Sequence, residues 1–245
     1  MPRRRLLRTA LLLLLLGGAG VAIGAWYFFG GSPPGTASID SAGSAVPTTA
    51  ATDGSSATSG PLTIDGTWSV DTSIGSFTDF SNSWAGFRVD EVLDNIGSST
   101  AIGRTPGVSG TLTLSGQTLS ATQITVDLTS ITSDRPRRDG PIQQTLETFQ
   151  FPTATFTLTQ PIELQSVPAE GATYAVTATG DLTIHGVTRP VDFALEARLV
   201  NGVIVIVGQT PFNFSDFGMS PPRAPVVLSV DDHGIIELQL FFTRS

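Results

Sequence analysis

Only two imidazoles are available to this chain, His185 and His233, and they are its best candidates for proton transfer or metal ligation near neutral pH. His185 sits in the run Gly180-Asp181-Leu182-Thr183-Ile184-His185-Gly186-Val187-Thr188-Arg189-Pro190. A catalytic or ligating histidine needs a nucleophile or a second ligand within reach. The sequence around His185 offers none, and His233 stands alone before Gly234. The expected role of His185 is therefore a structural hydrogen bond across a turn, with Asp181 and Arg189 bracketing the hairpin as an ion pair. Asp216 is expected to bond a turn rather than catalyse. The densest charged patch is Asp134-Arg135-Pro136-Arg137-Arg138-Asp139. An arginine there, Arg138 foremost, could hold an anionic head group, because a guanidinium matches phosphate geometry. The competing reading is a solvated loop in which Arg138 or Asp139 anchors the next helix.

Several chemistries are excluded outright. There is no cysteine, so disulfides, thiol catalysis and thiolate metal sites are absent. All 13 basic residues are arginine, which removes lysine Schiff bases and the phosphate-loop lysine. No Gly-x-Ser-x-Gly, His-Glu-x-x-His or dinucleotide pattern occurs. From Thr63 onward 19 acidic residues face 9 arginines, a balance of −10, so nucleic acid is not an expected partner. No catalytic residue, metal site or cofactor is assigned.

The N-terminus carries a different signal. Arg3, Arg4, Arg5 and Arg8 precede an uncharged stretch from Thr9 to Phe29, which includes six consecutive leucines and ends in Trp26-Tyr27-Phe28-Phe29. A spanning helix needs about 20 apolar residues, and interfacial aromatics suit its end. Residues 1–8 are read as a basic cytoplasmic end and residues 9–29 as a transmembrane anchor. The alternative is a cleaved signal peptide, whose apolar core is shorter, about 7–15 residues. Either way the remainder is exported from a bacterial cell. Residues 30–61, rich in Gly, Ser, Thr, Ala and Pro, read as a disordered tether. The folded domain is expected over residues 62–245.

Within that domain the apolar period is two. Ile124, Val126 and Leu128 alternate with polar residues, as do Ala154, Phe156 and Leu158, and Val191, Phe193, Leu195 and Ala197. Each reads as a strand with one wet face. Further strands are expected at residues 111–114, 174–179, 203–207, 226–230 and 235–242. Turns are expected at Ser115-Gly116, Glu170-Gly171, His185-Gly186, Asn201-Gly202 and His233-Gly234, with a strand opening at Val191. One helix is expected over residues 141–149, with Pro141 at its first position and Asp139 or Gly140 capping it. The fold class is all-β: about eight or more antiparallel strands and one short helix, closed as a barrel or packed as a sandwich.

The order of short motifs resembles the YceI-like family, also described as polyisoprenoid-binding or lipocalin-like. Trp68-Ser69-Val70-Asp71 is similar to its opening strand. Val126-Asp127-Leu128, Ser130-Ile131 and Arg138-Asp139 are similar to its middle signature. Phe149-Gln150-Phe151-Pro152-Thr153-Ala154-Thr155-Phe156 resembles its helix-to-strand passage. Residues 180–190 resemble its Gly-Asp-Leu-Thr-Ile-His-Gly-Val-Thr motif, and residues 212–219 its penultimate block. Trp84-Ala85-Gly86-Phe87-Arg88-Val89 and residues 101–105 look like a variant from high-GC Gram-positive bacteria. The histidine expected near the first strands is missing. The resemblance implies an extended antiparallel lipocalin-like β-barrel and an apolar cavity for an isoprenoid or other lipid tail. In many members it also implies a homodimer.

Inward positions Val126, Leu128, Phe156, Leu182, Phe193 and Leu195 are the candidate lining, or else simple core. The expected function is non-enzymatic binding, storage or transport of a hydrophobic small molecule or lipid outside the membrane. The competing classes are a structural or protein-binding domain with a filled barrel, and an enzyme built from scattered acids and His185.

Overall fold

A computed structural model describes residues 34–48, 64–94, 96–223 and 227–245. The alternating segments become strands joined almost wholly antiparallel. In chain order these are β1 (Gly66–Val70), β2 (Trp84–Leu93), β3 (Gly97–Thr105), β4 (Val108–Ser115), β5 (Thr118–Asp127), β6 (Thr132–Ser133), β7 (Thr153–Leu158), β8 (Ile162–Glu163), β9 (Thr173–Ile184), β10 (Val187–Val200), β11 (Val203–Asn213) and β12 (Val227–Arg244). Two helices, α1 (Ile39–Ala45) and α2 (Pro136–Thr145), and a 3₁₀ turn at Phe214–Phe217 complete the fold.

Hydrogen bonding runs β1-β4-β5-β7-β9-β10-β11-β12 and returns to β1, a closed circuit of eight strands. Closure leaves no unpaired edge along that circuit. β2, β3 and β6 extend the sheet from the other part of β12. This is possible because β12 is 18 residues long: residues 227–239 pair with β2, and Phe242, Thr243 and Arg244 pair with β1. The turn expected at His233-Gly234 is not there. Both residues lie inside β12, opposite Asn213 and Phe212, and the irregularity is a bulge on the β2 side. A glycine in a strand often marks such a bulge rather than a turn.

Two tight hairpins set the register of the longest strands. Asn201 and Gly202 both take positive φ, 50° and 77°, as a two-residue primed turn requires. His185 and Gly186 do the same at 53° and 72°, and β10 starts at once with Val187, not at Val191. Pro190 is carried within β10, opposite Asp181.

The helices depart from expectation. α2 starts at Pro136, in the first turn where its missing N–H costs nothing, and Pro141 falls inside the helix. Asp139 does not cap it. Its carboxylate accepts from the amide and hydroxyl of Ser133 at 2.7 and 2.6 Å and pins the preceding turn. Ile142 is buried, but Phe149 is past the helix and fully exposed.

The tether expected over residues 30–61 is corrected in its first half. Ile39 and Ala42 on α1, with Val46 just past its C-terminus, pack on the outer barrel wall against Ile74, Val203, Val205, Val207 and Phe241. Spacing of three residues places Ile39 and Ala42 on one helix face, a pattern that small-residue composition hides. Asp40 in the first turn bonds Arg198 at 2.8 Å. The rest of the expected tether, and the anchor expected over residues 9–29, lie outside the described residues. Among the described residues no helix is long and apolar enough to cross a membrane.

Candidate functional site

The barrel interior is built from one parity of each strand. β11 turns Ile204 and Ile206 inward and Val203, Val205 and Val207 outward under α1. β12 turns Ile236, Leu238, Leu240 and Phe242 inward, leaving Glu237, Gln239 and Phe241 on the outer wall.

The inward side chains are unevenly packed. At the β1 end, Trp68, Leu112, Leu240 and Phe242 are each at most 3% exposed and form a dense floor. The indole N–H of Trp68 donates to the Ile64 carbonyl at 2.9 Å. Along β9 and β10 the packing thins. Ile162, Ala178 and Phe193 are buried, but nine neighbours that pack on them keep part of their surface open. Among these are Phe156, Val191, Leu195, Ile236 and Leu238. Phe156, Val191 and Ile236 also touch the next cluster, around Val89, Leu182, Ile184, Phe214 and Met219, so the apolar lining runs on to the opposite end.

The structure brings all six lining candidates inward. Leu128, Leu182 and Phe193 are buried; Val126, Phe156 and Leu195 are half-buried. Phe156 is the junction, belonging to three clusters and meeting Phe193 edge-on at 5.2 Å. Its ring lies against Gly180, where any Cβ would come within 2.5 Å of the ring. Leu195 similarly covers Gly208. Side chains laid over glycines follow the wall instead of crossing the interior.

Sequence reasoning missed Ile206, Ile236 and Leu238 as lining. The signal was present: Val203 to Val207 is an unbroken apolar run, the mark of a strand buried on both faces, and Ile236, Leu238 and Leu240 alternate with Glu237 and Gln239 at period two.

Arg138 is held within the chain. Its guanidinium bonds Asp134 at 2.7 Å and Glu91, which is 5% exposed. Two carboxylates already bracket the charge, as suits an anchor for α2. A second ionic group lies on the outer wall. Glu237 accepts from Arg88 at 2.9 Å and from Arg104 at 2.8 Å. The Arg104 guanidinium stacks 3.8 Å over Trp84 and donates to the Gly35 carbonyl at 2.6 Å. Burial pulls the Arg104 pKa down, and the bond to Glu237 opposes it.

The expected turn contacts are rearranged. His185 Nδ1 lies 3.3 Å from the Phe217 carbonyl in the 3₁₀ turn rather than bonding its own hairpin. Arg189 donates to the Asp216 carbonyl at 2.8 Å, so the Asp181–Arg189 pair does not form. Asp216 does bond a turn, accepting from the Asn213 amide at 2.8 Å. His185 borders a cleft of about 380 Å³ with Pro141, Gln144, Glu147, Met219 and Arg223. Among the described residues no three or more His, Asp or Glu side chains gather as a metal site.

Comparison with known proteins agrees with this architecture. The sequence pattern of the YceI-like domain matches residues 38–242, α1 included. Protein YceI of Escherichia coli O157:H7 is 33% identical over 112 residues, 44% of this chain and 53% of that protein. The chain thus matches about half the length of this curated relative. Among solved structures, a polyisoprenoid binding domain from Saccharophagus degradans implicated in plant cell wall breakdown superposes with a TM-score of 0.51. It is 18% identical, covering 73% of this chain and 98% of the other, and the likeness is one of fold.

Proposed function

The chain belongs to the YceI-like family, and from that premise we propose that its barrel binds a long hydrophobic chain of isoprenoid or related lipid character, without covalent chemistry. The carrying observation is the lining around Phe156, Leu195, Ile206, Ile236 and Leu238: apolar, inward-facing, in contact with core clusters, yet still partly exposed. Side chains of a filled core would be sealed, as those of the floor are. Burying a ligand tail against this surface yields about 25 cal/mol per Å² and requires no polar contact. The polyisoprenoid-binding description of the Saccharophagus degradans domain supports the same ligand class. The proposal extends to location. Residues 9–29 hold the chain in a bacterial membrane with the barrel outside, where it stores or carries the lipid, as a monomer or homodimer.

The test uses the purified full-length chain. Its organic extract is analysed by mass spectrometry, and a tritiated C20 isoprenol is titrated against it. We expect saturable binding of about one ligand per barrel. Leu195→Trp and Ile206→Trp, which fill the interior, should weaken it at least tenfold with unchanged circular dichroism. An empty extract together with no binding of isoprenols or quinones would overturn the proposal.

A further inference from the structure

The cleft beside His185 carries an unmatched hydrogen-bonding group. A carbonyl can only accept, so the contact from Nδ1 to the Phe217 carbonyl at 3.3 Å puts a proton on Nδ1. In the neutral ring the other nitrogen, Nε2, is then an acceptor. It is buried and has no hydrogen-bond partner. A Glu147 carboxylate oxygen, a second acceptor, lies 3.5 Å from it. Nε2 is thus a buried acceptor that no donor of the chain meets, beside a carboxylate that is about half exposed.

Among the described residues, His185 and Glu147 are two of four non-glycine residues with positive φ, 53° and 46°. Phe151 fixes the imidazole from the side, its ring centroid 4.6 Å away. The cleft adds Arg223 and Gln144 as donors, and its two formal charges, Glu147 and Arg223, cancel. It therefore offers no net attraction to a phosphate but does offer acceptors and donors together. Its wall includes Met219, which is also a member of the apolar cluster at that end of the barrel. Methionine is an adaptable side chain, and this one is shared by the cleft wall and the apolar cluster.

We infer that this cleft seats the polar end of the ligand and selects an uncharged head that carries a hydrogen-bond donor, such as a primary alcohol or amide. The O–H or N–H points at His185 Nε2 and Glu147, and the head's oxygen accepts from Arg223 or Gln144. This rests on the reading that the tail lies in the barrel.

The experiment compares three probes with one tail, geranylgeraniol, its methyl ether and its monophosphate, on the full-length chain and on His185→Asn. Asparagine accepts positive φ, and Asn-Gly suits this turn, so the hairpin is kept. We expect the alcohol to bind about tenfold more tightly than the ether in the parent chain, and His185→Asn to abolish that ratio. Equal binding of alcohol and ether, or tighter binding of the phosphate, would overturn the donor-selective seat and leave the lipid-binding barrel standing. Equal affinities are also what a closed His185–Glu147 ion pair would give. If none of the three binds, the barrel reading itself fails.

Discussion

Glu237 is the side chain on which the outer wall depends most. It is 2% exposed and pairs with two arginines, one of them 3% exposed. Breaking one side of a buried pair strands a charge, at a cost of about 3–5 kcal/mol. Glu237→Gln should therefore lower stability by that order in denaturant titration, and adding Arg104→Met should restore much of the loss. Asp71 and Asp127 illustrate a gentler effect. The hydroxyl of Ser73 holds the Asp71 carboxyl below its ordinary value of 3.8, and the hydroxyl of Thr129 does the same for Asp127. Their folded values are depressed, so the stability they add is present above about pH 4 and is lost as pH falls through the folded values. Carboxyl titration by NMR should show both midpoints below that of an unstructured aspartate, and Ser73→Ala should return Asp71 toward it. Of these groups the sequence disclosed only the turn-forming habit of Asp with Ser or Thr. The Arg88–Glu237–Arg104 group joins positions up to 149 residues apart, and no local pattern announces it.

The strands and their hairpins were legible because period two and Asn-Gly are local signals. Val126, Phe156, Leu182, Phe193 and Leu195 all turned inward as their alternation required. α1 was not legible. Its Ile39 and Ala42 stripe is sparse, and the helix has meaning only against the outward valines of β11, which pair with it through the fold. The same pairing predicts its weakness. Ala42 is 1% exposed on the barrel wall, so Ala42→Gln must bury an amide or lift the helix. We expect a loss of about 2 kcal/mol and increased binding of a hydrophobic dye to the uncovered Val203, Val205 and Phe241. A change in m-value alone, with no dye binding, would argue against a docked α1. α2 was placed five residues late because Pro136 and Pro141 are both plausible first positions, and the clamp from Asp139 to Ser133 decides between them.

For the molecule as a whole, closure depends on the last residues. Phe242, Thr243 and Arg244 are the only part of β12 paired with β1, and Phe242 is 1% exposed in the floor. Removing residues 242–245 should cost at least about 3–5 kcal/mol from the lost phenylalanine alone, seen as a lower midpoint of thermal unfolding. The Trp68 fluorescence should also shift to the red as the floor opens. The all-β class and strand alternation could be read from the periodicity, and the barrel was implied by the family resemblance, but the division of β12 between two partners could not be read, since His233-Gly234 looks like a turn and only pairing reveals a bulge. That division has a consequence in time. A chain emerging from the ribosome presents β1 well before its closing partner, which follows about 170 residues later. The circuit cannot close until β12 has been made, and until then the apolar interior stands open along one seam. Contacts so distant in sequence make such topologies slow to fold, so closing this seam is expected to be a late step in forming the barrel.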